Sequence, residues 1–234
     1  MKTPNAEFLP TRWSIVLAAA DGKSISRRAL EELARAYWFP LYAFIRRQGH
    51  SAAESEDLTQ EFFFQLLERQ LLESVDPAKG RFRSFLLACA KHFLSHQRNK
   101  VRAQKRGGNQ ALISLDSAES RYAVEPADAL TPERLFERRW ALAVLDQVLA
   151  RLAAQYAQRE ESALFDALKE TLITSATPSH ARIAESLGMT PGAIKVAAHR
   201  LRRRYRDILR EEIAQTVASP EEINDEISYL LKCL

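Results

Sequence analysis

Long stretches of this chain carry no turn signal, and that constrains its fold more than any other feature. Glycine occurs 7 times and proline 9 times in 234 residues. Between those breaks apolar residues recur at helical spacing, as at Leu30, Leu33, Tyr37, Leu41, Phe44 and Ile45 within residues 26–47. That period marks an amphipathic helix, whereas a many-stranded sheet needs turns far more often. An all-α fold is expected. Hydrophobic residues make up 46% of the chain, enough to bury a core. The length suits one large domain or two small ones, at roughly 100–200 residues each.

Local signals divide the chain further. Thr11 can cap a first short helix that Asp21-Gly22 ends. Pro40 is expected to kink or divide the helix over 26–47, and Gly49 to stop it. A helix over 52–73 has Leu58, Phe62 and Leu66 on one stripe and acids at its start, where the helix dipole welcomes them. Residues 76–80 read as a loop. The helix over 82–105 turns Phe82, Phe85, Leu86, Cys89, Phe93 and Leu94 inward and its basic residues outward. Residues 107–131 lack sustained periodicity and form a linker, too long for an ordinary loop inside a compact domain. At Thr131-Pro132-Glu133 a helix restarts, with Leu135, Leu142, Leu145, Val148, Leu149 and Leu152 on one face. Another helix spans 160–173. Ser219-Pro220-Glu221-Glu222 has capping-box spacing and opens an amphipathic segment bearing Ile223, Ile227, Leu230, Leu231 and Leu234. The expected domains are 1–106 and 132–215, followed by a tail over 216–234.

The net charge of +4 conceals strong segregation. Residues 81–106 hold eight Lys/Arg and no Asp/Glu, and residues 195–210 hold seven Lys/Arg against Asp207 alone. Two separate basic blocks suggest a polyanion touched at two places. The two cysteines, Cys89 and Cys233, build no disulfide framework, which fits a reduced, cytoplasmic setting. No apolar run approaches the ~20 residues of a membrane span.

Residues 179–206 give the sharpest local pattern. Ile183 and Leu187 share a face of a short helix, Ala184 allows close approach, and Gly188 permits a left-handed turn. Thr190 caps a second helix that Pro191 starts, and Ile194 points back at the first. This is helix-turn-helix spacing. The opposite face offers Lys195, Val196, His199, Arg200, Arg202 and Arg203, suited to phosphates and guanine edges in a major groove.

Three passages in the first half complete the picture: Asp57-Leu58-Thr59-Gln60-Glu61-Phe62-Phe63, then Phe82-Arg83-Ser84-Phe85-Leu86, then the basic helix running to Arg106. An acidic, an aromatic and a basic helical segment, followed by a linker and a helix-turn-helix, resemble the bacterial sigma-70 family, nearest its small extracytoplasmic-function group. The resemblance runs from about residue 29 to 210. It implies two helical domains, region 2-like and region 4-like, with core RNA polymerase and duplex and melted promoter DNA as partners. By position it implies that Asp57, Gln60 and Glu61 face the polymerase. Arg81, Phe82, Arg83, Lys91, His92, Gln97 and Arg98 would serve the minus-10 element, where aromatic surface and cations suit unpaired strands. Lys195, Val196, His199, Arg200, Arg202 and Arg203 would read the minus-35 element. Lys195-Val196-Ala197 stands where family members often carry Lys-Ser-Arg, and His92 where Asn is frequent. The tail is open to packing on the second domain or to binding an anti-sigma factor.

No glycine-rich phosphate loop, HExxH motif or nucleophile setting occurs, so no enzyme, catalytic residue or cofactor is expected. Cys89, His92 and His96 share a broad helix face, but a fourth zinc ligand is not evident and no metal is expected. Three consecutive aromatics, Phe62, Phe63 and Phe64, cannot all face one core, so one should meet a neighbouring domain or partner. The rival assignment is a stand-alone helix-turn-helix regulator whose N-terminal half senses a ligand or dimerises.

Overall fold

The computed structural model describes residues 27–67, 81–103, 122, 130–172 and 180–234. The expected helix after Thr11, the loop over 76–80 and nearly all of the linker lie outside these residues. Every regular element among them is helical. Helix α1 spans Arg27–Arg47, α2 Ala52–Leu67, α3 Phe82–Ala103, α4 Pro132–Ala157, α5 Ser162–Leu168, α6 His180–Leu187, α7 Pro191–Ala214 and α8 Ile223–Lys232. Short 3-10 turns cover Lys169–Leu172 and Pro220–Glu222.

By backbone clustering the chain falls into two compact units. The first joins the residues up to Ala143 with Ile213–Leu234, and the second is Val144–Glu212. The second unit lies inside the segment 132–215 assigned above to a C-terminal domain. Residues 132–143 and 213–234 cluster with the N-terminal helices instead.

In the first unit α1 is the central element. Leu33, Tyr37, Leu41, Phe44 and Ile45 are enclosed as their spacing requires, and so are Ala36, Phe39, Tyr42 and Ala43. Pro40 does not divide the helix, which runs unbroken through it. Proline removes one backbone donor, and burial of residues 39–45 on every side outweighs that loss. Gly49 ends the helix with φ +93°, donating its N–H to Arg46 O at 3.1 Å.

Helix α2 packs on α1 and opens with a capping box at Ser51 and Glu54 that sequence reading did not single out. Ser51 N–H donates to Glu54 Oε2 at 2.9 Å, and Glu54 N–H donates back to Ser51 Oγ at 3.3 Å. The bonds that the Ser51 N–H and hydroxyl donate to Glu54 Oε2, at 2.9 and 2.8 Å, hold the Glu54 carboxyl below its ordinary range. The buried stripe is Ser55, Thr59, Phe62 and Leu66, while Leu58, expected inside, is half-exposed. Thr59 satisfies its buried hydroxyl by donating to Ser55 O at 2.6 Å. Phe64 is the outward member of the aromatic trio, at 59% exposure. Helix α3 buries Phe82, Leu86, Ala90, Phe93 and Leu94, with Phe82 edge-on to Tyr37 at 5.3 Å and Phe93 to Phe62 at 5.7 Å.

Thr131 caps α4 as expected, its Oγ1 accepting from Arg134 N–H at 3.3 Å. The buried stripe of α4 is Phe136, Trp140, Val144, Val148, Leu152 and Tyr156. Leu142, Leu145 and Leu149 stay half-exposed because this helix is apolar around much of its circumference, so its sequence underdetermines the inward face. In the second unit, the expected helix over 160–173 is shorter: α5 ends at Leu168 and tightens into a 3-10 turn.

The capping box expected at Ser219 does not form. The Ser219 side chain makes no cap bond, and Glu222 reaches one residue further back, accepting from Ala218 N–H at 3.2 Å. Helix α8 then buries Leu230 together with Glu226, an acid on what the sequence presents as an apolar stripe, and leaves Leu231 exposed, as is Leu234 beyond its end.

Candidate nucleic-acid interface

Of the two basic blocks, the first is described over residues 81–103, on and just before α3, and the second lies on α7. In the second unit, α6 and α7 are joined through Gly188, whose φ of +63° is the left-handed conformation its position requires. Met189 N–H donates to Ala184 O at 2.9 Å, closing α6. Thr190 Oγ1 accepts from Ala193 N–H at 3.2 Å and caps α7. Ile183, Ala184, Ile194, Ala198 and Leu201 are buried between the helices and their neighbours. That burial turns Lys195, Val196, His199, Arg200, Arg202 and Arg203 outward, and all six are exposed. Val196 places an apolar group at 50% exposure amid these cations. Arg202 donates to Thr171 O at 3.4 Å, and Arg204 donates from Nε to Gln155 Oε1 at 2.7 Å.

In the first unit the acidic candidates lie on α2. Asp57, Gln60 and Glu61 are half-buried at its surface. Glu56 beside them is almost fully enclosed at 1% exposure, and burial, then Asp57, raises its carboxyl pKa.

The basic candidates divide sharply. Lys91, His92 and Arg98 are exposed on α3, and Gln97 is half-buried. Lys91 pairs with Glu133 at 2.8 Å, and that bond holds the Glu133 carboxyl below its ordinary range. Arg98 donates to Gln48 Oε1 at 3.0 Å, and Gln97 to Glu61 Oε1 at 2.6 Å.

Arg81, Phe82 and Arg83 form no open face with them. Phe82 is a core residue at 0% exposure, its ring held by Tyr37 and Phe85, so no face is free for an unpaired base. Arg83, expected outward, is 4% exposed. Its Nη1 lies 2.9 Å from Glu226 Oε1, and its guanidinium sits 4.1 Å from the Tyr229 ring centroid and 4.9 Å from that of Trp140. Arg81 Nε is 2.8 Å from the other Glu226 oxygen. Phe82 N–H donates to Thr216 O at 3.2 Å. Each of these three residues is therefore held by the 213–234 segment. Sequence reading missed Glu226, Tyr229 and Trp140 as partners. The available signal was a carboxylate between Ile223 and Leu230 on the apolar face of an amphipathic helix.

Among the described residues no cluster of His, Cys, Asp or Glu is arranged to hold a metal ion, and no helix is long and apolar enough to cross a membrane. Cys89 is half-buried on α3, and burial pushes its thiol pKa up to about 11.

Residues 33–106 match the family model for sigma-70 region 2. That stretch, about a third of the 234-residue chain, is a sigma-70 region 2 domain, spanning α1 to α3 and carrying the acidic and first basic candidates. With the all-helical fold around it, the domain supports a sigma-factor-like role in transcription. No curated protein and no solved structure matches the chain.

Proposed function

We propose that the protein is a sigma factor of the extracytoplasmic-function type, a specificity subunit that directs core RNA polymerase to promoters. The observation that carries this reading is the region 2 match over residues 33–106. In it, Asp57, Gln60 and Glu61 on α2 dock on a basic surface of the polymerase. Lys91, His92, Gln97 and Arg98 on α3 follow the opened minus-10 strand, with Arg81 and Arg83 available once released from Glu226. Such work needs cations for phosphates and surfaces for unstacked bases, and no metal or nucleophile. The exposed face of α7, from Lys195 to Arg203, reads minus-35 duplex in a major groove. Its support is the Gly188 turn, the Thr190 cap and the outward placement of all six side chains.

The test is size-exclusion chromatography with core RNA polymerase, followed by a promoter-opening assay. Co-elution with strand opening is expected. A protein that neither associates with the polymerase nor opens any promoter sinks the reading, and dimeric operator binding without polymerase establishes the rival regulator. Within the reading, Asp57→Ala with Gln60→Ala weakens polymerase binding and leaves duplex binding through α7 intact.

A further inference from the structure

Glu226 is fully enclosed, yet its side chain is a carboxyl group, and among the described residues Arg81 and Arg83 of the first basic block lie against it. Burying an ion pair costs desolvation that mutual attraction repays only with complete hydrogen bonding. Here the bonding is incomplete. Among the described residues Arg83 Nε has no hydrogen-bond partner, and Glu226 Oε2 has none either, its contact with Arg81 being one of charge rather than an aligned bond. A hydrophobic residue at 226 would continue the stripe of Ile223 and Leu230 without that cost. The acid is therefore poor as a packing element. It is well matched, however, to what a phosphate oxygen offers: an anionic acceptor within 3 Å of two guanidinium groups. The grip extends over three consecutive residues, since Thr216 O holds the N–H of Phe82 between the two arginines. Tyr229 of the same helix adds a ring against Arg83, at 4.1 Å, and Arg81, at 5.8 Å.

We propose that α8 is a built-in cover on the strand-opening face, with the Glu226 carboxylate occupying Arg81 and Arg83 until nucleic-acid phosphates displace it. The inference rests on the reading of α3 as a nucleic-acid surface. It makes the 216–234 segment a regulator of the domain that the match over 33–106 defines. The cover and the strand compete for the same two cations, so binding of one weakens the other in equal measure.

The experiment uses the full chain and a fluorescein-labelled single-stranded oligodeoxynucleotide of mixed sequence, titrated by anisotropy across salt. Glu226→Gln keeps an amide oxygen for Arg83 while removing the charge, and thermal melts check that it folds. This variant is expected to bind roughly tenfold tighter at low salt, with a log–log salt slope steeper by about 1.4, or two further phosphates at ~0.7 each. Adding Arg81→Ala and Arg83→Ala to Glu226→Gln should abolish that gain. Equal affinity and slope for Glu226→Gln and the unaltered protein, with binding still sensitive to Lys91→Ala and polymerase association retained, overturns the cover and leaves the sigma-factor reading standing. Failure of every form to bind the strand or the polymerase overturns both. A second measurement needs no substitution: saturating the unaltered protein with the oligonucleotide should speed hydrogen exchange at the amides of residues 223–232. Unchanged exchange there, with the strand bound, also overturns the proposal.

Discussion

Gln97 on α3 donates from Nε2 to Glu61 Oε1 on α2 at 2.6 Å, and Gln65 donates to the same oxygen at 2.9 Å. One carboxylate thus ties a residue assigned to DNA to a helix assigned to polymerase. Gln97→Ala removes one of the two bonds and is expected to lower the unfolding free energy by about 1 kcal/mol in urea. Glu61→Ala leaves two part-buried amides without their acceptor and should cost about twice that. Equal losses would mean that the bond from Gln65 contributes nothing.

Arg81 and Arg83 share Glu226 but differ in burial, so their removal should differ in kind. Arg83→Ala leaves an enclosed carboxylate without its buried partner, a change that costs about 3–5 kcal/mol. Arg81 keeps 28% exposure, and Arg81→Ala should cost about 1 kcal/mol or less. Burial already pushes the Glu226 carboxyl above its ordinary range, against the pull of Arg83 and Arg81. Losing Arg83 raises it further. A carboxyl with a folded pKa above its unfolded value takes up protons on folding, so stability falls as pH rises through that window. The Arg83→Ala deficit is therefore expected to shrink from about pH 7 to about pH 5. Urea midpoints at both pH values check this, and a deficit independent of pH would contradict it.

The turn before α7 allows a separation of strain from capping. Among the described residues no atom beyond its two chain neighbours lies within 4 Å of a Cβ placed on Gly188, so the cost of Gly188→Ala is that of its φ of +63°. About 1–2 kcal/mol is expected. Thr190→Ala loses the bond to Ala193 N–H and should cost about 1 kcal/mol, while Thr190→Ser keeps it and should cost little. Chemical denaturation of the three variants, with DNA binding in parallel, distinguishes the two effects.

The features legible in the sequence were those fixed within a few residues. Gly49, Thr131, Gly188 and Thr190 act through their own turn, and each does in the structure what its local pattern required. The outward face of α7 followed because Ile194, Ala198 and Leu201 leave only one direction for the cations. Where packing partners are distant, the sequence was silent or misleading. Arg83 and Glu226 are 143 positions apart, and nothing near either announces the other. On α2, Thr59 is buried with its hydroxyl bonded to Ser55 O while Leu58 is half-exposed, an arrangement that hydrophobicity alone does not encode. On α4, apolar residues around most of the helix left several stripes equally plausible.

The cations of α7 differ in what already holds them, and a salt titration can read that difference. Arg200 and Arg203 are exposed on the outward face. Arg204 already donates from Nε to Gln155, at 2.7 Å. On duplex DNA each phosphate contact contributes about 0.9 to the slope of log affinity against log salt. Arg200→Ala and Arg203→Ala should each flatten that slope by about 0.9 where the side chain meets a phosphate. Arg204→Ala should alter it less, since part of its guanidinium serves the protein. Val196→Ser removes an apolar contact without touching charge, so it should change preference among duplex sequences while leaving the slope in place. A slope unchanged by both Arg200→Ala and Arg203→Ala would remove α7 from the DNA interface, whatever the region 2 domain binds.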